Sequence, residues 1–134
     1  MISPLGAWRF TRRAQFGLAL VIFAIAALMP SRYVTQATSD STLHFIGNAL
    51  LYLSASLALF DRVRLRHLLA LLALYSLAIE FAQVLTPSRQ LDPRDMFANV
   101  CGLMTGYGLA LLVWEGCRRW LARSAAPDPR QAEL

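Results

Sequence analysis

The residues able to do chemistry fall into three short groups. Asp40 and His44 are four positions apart, and Asn48 follows four later. On a helix that spacing puts all three on one face. Glu80 and Gln83 share a face at a spacing of three. Arg89, Asp92, Arg94 and Asp95 lie close together, and Asn99 follows Asp95 by four. Carboxylates beside an imidazole can do general acid–base work or hold a divalent cation. Arg89 or Arg94 can bind a phosphate. The mixture of charges suits a zwitterionic or phosphorylated headgroup. Sharper catalytic signatures are missing: there is no Ser-His-Asp pattern, no His/Glu zinc motif and no Gly-rich loop followed by Lys. Binding therefore ranks ahead of catalysis, no catalytic residue is assigned, and neither metal nor cofactor is expected. The competing reading is a membrane-embedded enzyme acting on a lipid-linked substrate.

Each group also has a plainer use. Asp92-Pro93-Arg94-Asp95 reads as a helix start, with Asp as N-cap, Pro at N1 and an acid at N3. Asp40 can cap a helix too, with Ser39 and Ser41 as rivals. A lone interfacial His is usually structural, and Glu80 with Gln83 can serve as hydrogen-bond glue between helices. Glu80 is the most informative position, because nothing in its own helix pairs with it. Its candidate partners are His44, Arg89 and Arg94. Tyr52 and Tyr75 sit deep in apolar segments and read as core residues in need of a partner.

The elements that position these groups are apolar segments. The chain has 134 residues, enough for one small domain, and 57% of them are hydrophobic. Soluble domains lie near 45–50%. Mean hydropathy is +0.46, and the apolar residues come in long blocks with the charges between them. Four blocks, at about 14–30, 43–60, 67–86 and 96–116, predict an all-α integral membrane four-helix bundle over residues 1–120. The remainder, 121–134, is polar with two prolines and reads as a disordered tail. The first block is short, but Trp8 and Phe10 can extend it at the interface while Arg12 and Arg13 snorkel. Pro30 stops it. A signal peptide with Arg9, Arg12 and Arg13 as its basic region is the rival reading, and the three spans that follow argue for a span instead. Cys101 and Cys117 are 16 residues apart, about 24 Å along one helix, which is too far for a disulfide.

The net charge of +5 comes from arginine alone, with no lysine. Such basicity suits nucleic acid or an anionic membrane surface. Because the arginines flank apolar blocks, the membrane reading prevails and no nucleic-acid partner is expected. Nine arginines (Arg9, Arg12, Arg13, Arg62, Arg64, Arg66, Arg118, Arg119 and Arg123) fall on one side of a four-span topology, against Arg32, Arg89 and Arg94 on the other. That bias places both termini in the cytoplasm. The polar groups then gather at the outer side, with Glu80 roughly 9 Å below the boundary at 1.5 Å per residue. Below Asp95 and Asn99 the same stripe continues as Gly102 and Gly106, with Ala98 and Ala110 in register, and predicts close helix packing.

The ordered set Asp40-x-x-x-His44-Phe45, Glu80-x-x-Gln83, Arg89, Asp92, Asp95 and Asn99-x-x-Gly102-x-x-x-Gly106 resembles the VanZ-like family over about residues 39–109. Members of that family often carry a basic residue after the Asp matched by Asp40, where this chain has Ser41. The resemblance implies a small multi-pass protein of the bacterial inner membrane and cell envelope. It also implies a link to glycopeptide antibiotic resistance, since the name-giving member is associated with low-level resistance to teicoplanin. It implies no reaction. The expected partners are membrane lipids, a lipid-linked envelope precursor or the glycopeptide itself. The expected ligand-binding residues are Asp40, His44, Glu80, Gln83, Arg89, Asp92, Asp95 and Asn99.

Overall fold

The computed structural model describes residues 3–29, 39–85 and 92–124. These form four helices: α1 (Pro4–Leu28), α2 (Asp40–Leu59), α3 (Leu65–Gln83) and α4 (Pro93–Ser124). Local chemistry sets their starts. Ser3 caps α1, its side chain accepting from the Gly6 N–H at 3.2 Å, and Pro4 follows at the first helical position. Ser39, not Asp40, caps α2 by accepting from the Thr42 N–H at 3.3 Å. Asp92 precedes α4 and accepts from the Arg94 N–H at 2.8 Å, so it does the capping work its Asp-Pro context predicts.

The helices overrun the apolar blocks. The Ser3–Pro4 start carries α1 well before residue 14, so Trp8, Arg12 and Arg13 are helical. α4 runs through Ser124, past residue 121, where the polar tail was expected to begin. There Glu115 pairs with Arg118 at 2.7 Å and with Arg119 at 2.8 Å along the exposed helix surface. Hydropathy marks what lipid can cover, whereas caps and i,i+4 pairs decide how far a helix continues.

All four helices are long and apolar enough to cross a bilayer. Their polarity is arranged for that solvent. Leu18, Ile25, Leu50, Leu74, Phe97 and Leu112 face outward, while Arg12, His44, Asn48, Glu80, Gln83, Asp95 and Asn99 are buried. With no water in the hydrocarbon core, polar groups must find partners within the bundle. The chain is therefore an all-α, multi-pass membrane protein folded as a four-helix bundle.

α2 and α4 approach most closely, and the glycines permit it. A Cβ at Gly102 would collide with the Phe45 carbonyl oxygen, and one at Gly106 would stand 2.8 Å from the Ala49 carbonyl oxygen. α1 is packed into the same bundle: the Phe23 ring lies over Gly47, and the Tyr75 hydroxyl donates to the Leu20 carbonyl at 2.7 Å. Tyr52 donates to the Leu65 carbonyl at 2.7 Å. Both tyrosines thus find backbone acceptors. At the Asp61 end, Arg12 turns inward rather than snorkelling. It donates to the Leu57 carbonyl at 2.7 Å, lies 3.8 Å from the Asp61 carboxylate and stacks 4.5 Å from the Phe60 ring centre. Asp61, just after α2, faces Arg12 and Arg13 of α1.

Candidate functional site

The opposite end of the bundle gathers polar side chains from three helices. His44 on α2 is its centre, 3% exposed. Its Nδ1 lies 3.0 Å from the Asn99 amide oxygen on α4 and 3.5 Å from Glu80 Oε1 on α3. Its Nε2 faces Asp95 Oδ2 at 3.9 Å. Asn99 Nδ2 donates to Glu80 Oε1 at 2.6 Å. Asn48 Nδ2 donates to Asn99 Oδ1 at 2.6 Å and to the His44 carbonyl at 3.0 Å. Ser76 completes the chain by donating to Asn48 Oδ1.

These donors and acceptors fix one another. Because Asn99 spends its NH₂ on Glu80, its oxygen is what faces His44 and Asn48. An amide oxygen only accepts, so His44 Nδ1 carries the proton that points at it. The other ring nitrogen, Nε2, is turned towards Asp95 Oδ2 and the Gln83 amide.

Burial sharpens the electrostatics. Glu80 is 1% exposed, and its Oε2 has no hydrogen-bond partner. Asp95 is 6% exposed, and its Oδ1 accepts from Ser41 at 2.5 Å. The capping-box expectation for Asp95 therefore fails: its carboxylate turns into the bundle instead of back to its own helix start. Among the described residues no arginine pairs with Glu80 or Asp95.

Of the residues singled out by pattern, Asp40, His44, Glu80, Gln83, Asp95 and Asn99 come together. Gln83 donates to the Ala27 carbonyl at 2.9 Å, satisfying a free carbonyl at the end of α1, and lies 3.5 Å from His44 Nε2. Asp92 stays at the α4 start, and the Arg94 side chain is exposed beside it. Arg89 lies outside the described residues. Asp40, His44 and Asp95 are the residues placed to hold a cation, each offering an atom within 4.8 Å of the others. Ser41 and Ser76 were not anticipated. Ser76 had a readable signal, being four residues before Glu80 on the same face. Ser41 had none, since its partner lies on another helix.

A groove of about 580 Å³ leaves this cluster along the α1–α2 seam. Asp40 and His44 line one end of it. Ala19, Ile22, Ala26, Ile46 and Leu50 line its length, and Leu57 its far end together with Gln15, which donates to Ser54 at 2.7 Å. From Asp40 to Leu57 the helix rises roughly 25 Å.

The comparison with known families fits this pattern of residues. A sequence model described as VanZ/LLP1 matches residues 3–114 of the chain. No curated protein and no solved structure matches it.

Proposed function

The chain belongs to the VanZ/LLP1 family, and from that premise we propose that it binds a membrane lipid or lipid-linked envelope precursor by its headgroup. The observation that carries this reading is the groove between α1 and α2, with Asp40 and His44 at one end, the Gln15–Ser54 pair near the other, and alkyl side chains between them. An acyl chain fits such a groove, with the headgroup among Asp40, His44 and Asp95. The α2 and α4 starts bring their positive dipole ends to the same level, and Arg94 lies there too, which favours a phosphate.

The arginine bias supports an orientation in which this end faces out of the cytoplasm and both termini lie inside, in a bacterial inner membrane. A protein that holds an envelope precursor there affects what a glycopeptide antibiotic can reach. A role in teicoplanin resistance follows from that placement.

The test is to purify the full chain in mild detergent, extract it and identify bound lipid by mass spectrometry. The parent should carry one lipid class in excess over the bulk membrane. Ala26→Phe places a ring in the groove at a position that is already exposed, so folding should survive and the bound lipid should fall. Equal lipid in both proteins, matching the bulk composition, would sink the reading. The enzyme alternative predicts turnover of that lipid by the purified protein, and a change in its mass on incubation would favour it.

A further inference from the structure

We infer that Asp40, His44 and Asp95 form a site for a divalent cation of the zinc class, with Glu80 as the residue that orients the histidine. The ligand set carries the first part. One imidazole nitrogen and two carboxylates, all within 4.8 Å of one another, is a donor set that suits zinc, which takes His and Asp ligands at about 2.0–2.2 Å. His44 Nε2 and Asp95 Oδ2 stand 3.9 Å apart. That is too long for a hydrogen bond, which would close to about 3 Å. It is close to the separation of two donors on one ion, roughly 3.4 Å at a tetrahedral angle for those bond lengths.

The hydrogen bonding of the ring carries the second part. Nδ1 donates to Asn99 Oδ1 at 3.0 Å, with Glu80 Oε1 at 3.5 Å. Metal-bound histidines characteristically donate their other ring N–H to an oxygen in this way, which fixes the ring and raises its basicity. Here that arrangement is already built, and it turns Nε2 towards Asp95 Oδ2 at 3.9 Å, with the Gln83 amide at 3.5 Å.

Charge carries the third part. Glu80 is 1% exposed, keeps an unpartnered Oε2, and shares the His44 neighbourhood with Asp95, itself 6% exposed. No arginine among the described residues pairs with either. Buried carboxylates need compensation, and a divalent cation between His44 and Asp95 supplies it. Three protein ligands leave a fourth position open. A phosphate oxygen of the headgroup takes that position, and this last step alone rests on the lipid-binding reading.

The test uses the full chain in detergent micelles, stripped with a chelator, dialysed against Zn²⁺ and washed. Bound zinc is counted by plasma mass spectrometry, and affinity is measured by competition with a chromophoric chelator. About one zinc per chain is expected for the parent. Asp40→Asn and Asp95→Asn keep the side-chain shape and should weaken binding at least about tenfold, by the loss of a ligand charge. Glu80→Gln should weaken it about ten- to a hundredfold, as losing a partner of a metal-bound histidine does. His67→Ala, at the far end of α3, is the bystander and should retain the parent affinity. Circular dichroism melts of every variant separate lost ligation from lost folding. Zinc bound equally by the parent and both Asp→Asn variants would overturn the site. So would the absence of zinc from a folded parent, which would leave Asp95 and His44 as a direct side-chain contact. Lipid is measured in the same preparations. Lipid without zinc overturns the cation site alone, and zinc without lipid overturns the headgroup reading alone.

Discussion

At the scale of single residues, Glu80 separates packing from function. Its Oε1 accepts the Asn99 N–H, while its Oε2 accepts nothing. Glu80→Gln keeps an acceptor for Asn99 and removes the acid, so protein in the membrane should stay at the parent level, with melting stability within about 1 kcal/mol. Glu80→Ala leaves the Asn99 N–H buried without a partner and should cost about 1–3 kcal/mol, read from thermal melts in detergent. If headgroup binding is what the residue is for, Glu80→Gln also abolishes the teicoplanin or envelope-lipid phenotype. Normal accumulation with an unchanged phenotype would leave packing as the better account of Glu80. Arg12 makes the same point at the other end. Its guanidinium bonds the Leu57 carbonyl and faces Asp61, so Arg12→Met should cost about 1.5–3 kcal/mol, the range for a hydrogen bond to a charged group. A melt unchanged from the parent would return Arg12 to the snorkelling role.

At the scale of elements, the α2–α4 seam decides whether the site exists. His44 and Asn48 on α2 meet Asp95 and Asn99 on α4 because Gly102 and Gly106 allow the two backbones to close just below them. In lipid, close van der Waals contact is the main force holding helices together. Gly102→Ala sets a methyl against the Phe45 carbonyl, a backbone atom that cannot move aside, and should cost at least about 1–3 kcal/mol. Gly106→Leu adds a larger side chain against Tyr52 and Ala49 and should lower the amount of protein recovered from membranes. Gly108 is the contrast, since a Cβ there meets nothing within 4 Å. Gly108→Ala should be neutral or stabilising by up to about 1 kcal/mol through helix propensity. Immunoblots of membranes from all three strains check the ranking, and equal loss at Gly108 and Gly106 would refute the seam account.

At the scale of the whole molecule, charge and polarity divide the bundle into two ends. One end carries Arg12, Arg13 and Asp61, and the other carries the His44 cluster. A periplasmic reporter fused after Trp120 should be inactive, and one inserted between residues 31 and 42 should be active. The reverse pattern would turn the His44 end to the cytoplasm and take the antibiotic rationale with it.

Much of this architecture was legible without coordinates. Four apolar blocks require four helices, because lipid leaves backbone groups no partner except their own helix. Spacings of three and four residues placed Asp40 with His44, and Glu80 with Gln83, since helical period is a local property. The small-residue stripe marked a face of close approach for the same reason. Contacts between helices were legible only in part: His44 stood among the candidate partners of Glu80 and lies 3.5 Å from it. No spacing within α4 could show that Asp95 would leave its own helix start for Ser41 and His44, or that Asn99 would turn its oxygen to the ring and its NH₂ to Glu80. Nor could hydropathy tell that Arg12 would enter the bundle, since an arginine that snorkels and one that finds a helix-end carbonyl look alike in a sequence. Those outcomes depend on which groups from distant segments lie within 3 Å when the bundle closes. In a medium without water, each buried polar atom takes whatever partner the tertiary packing brings to it.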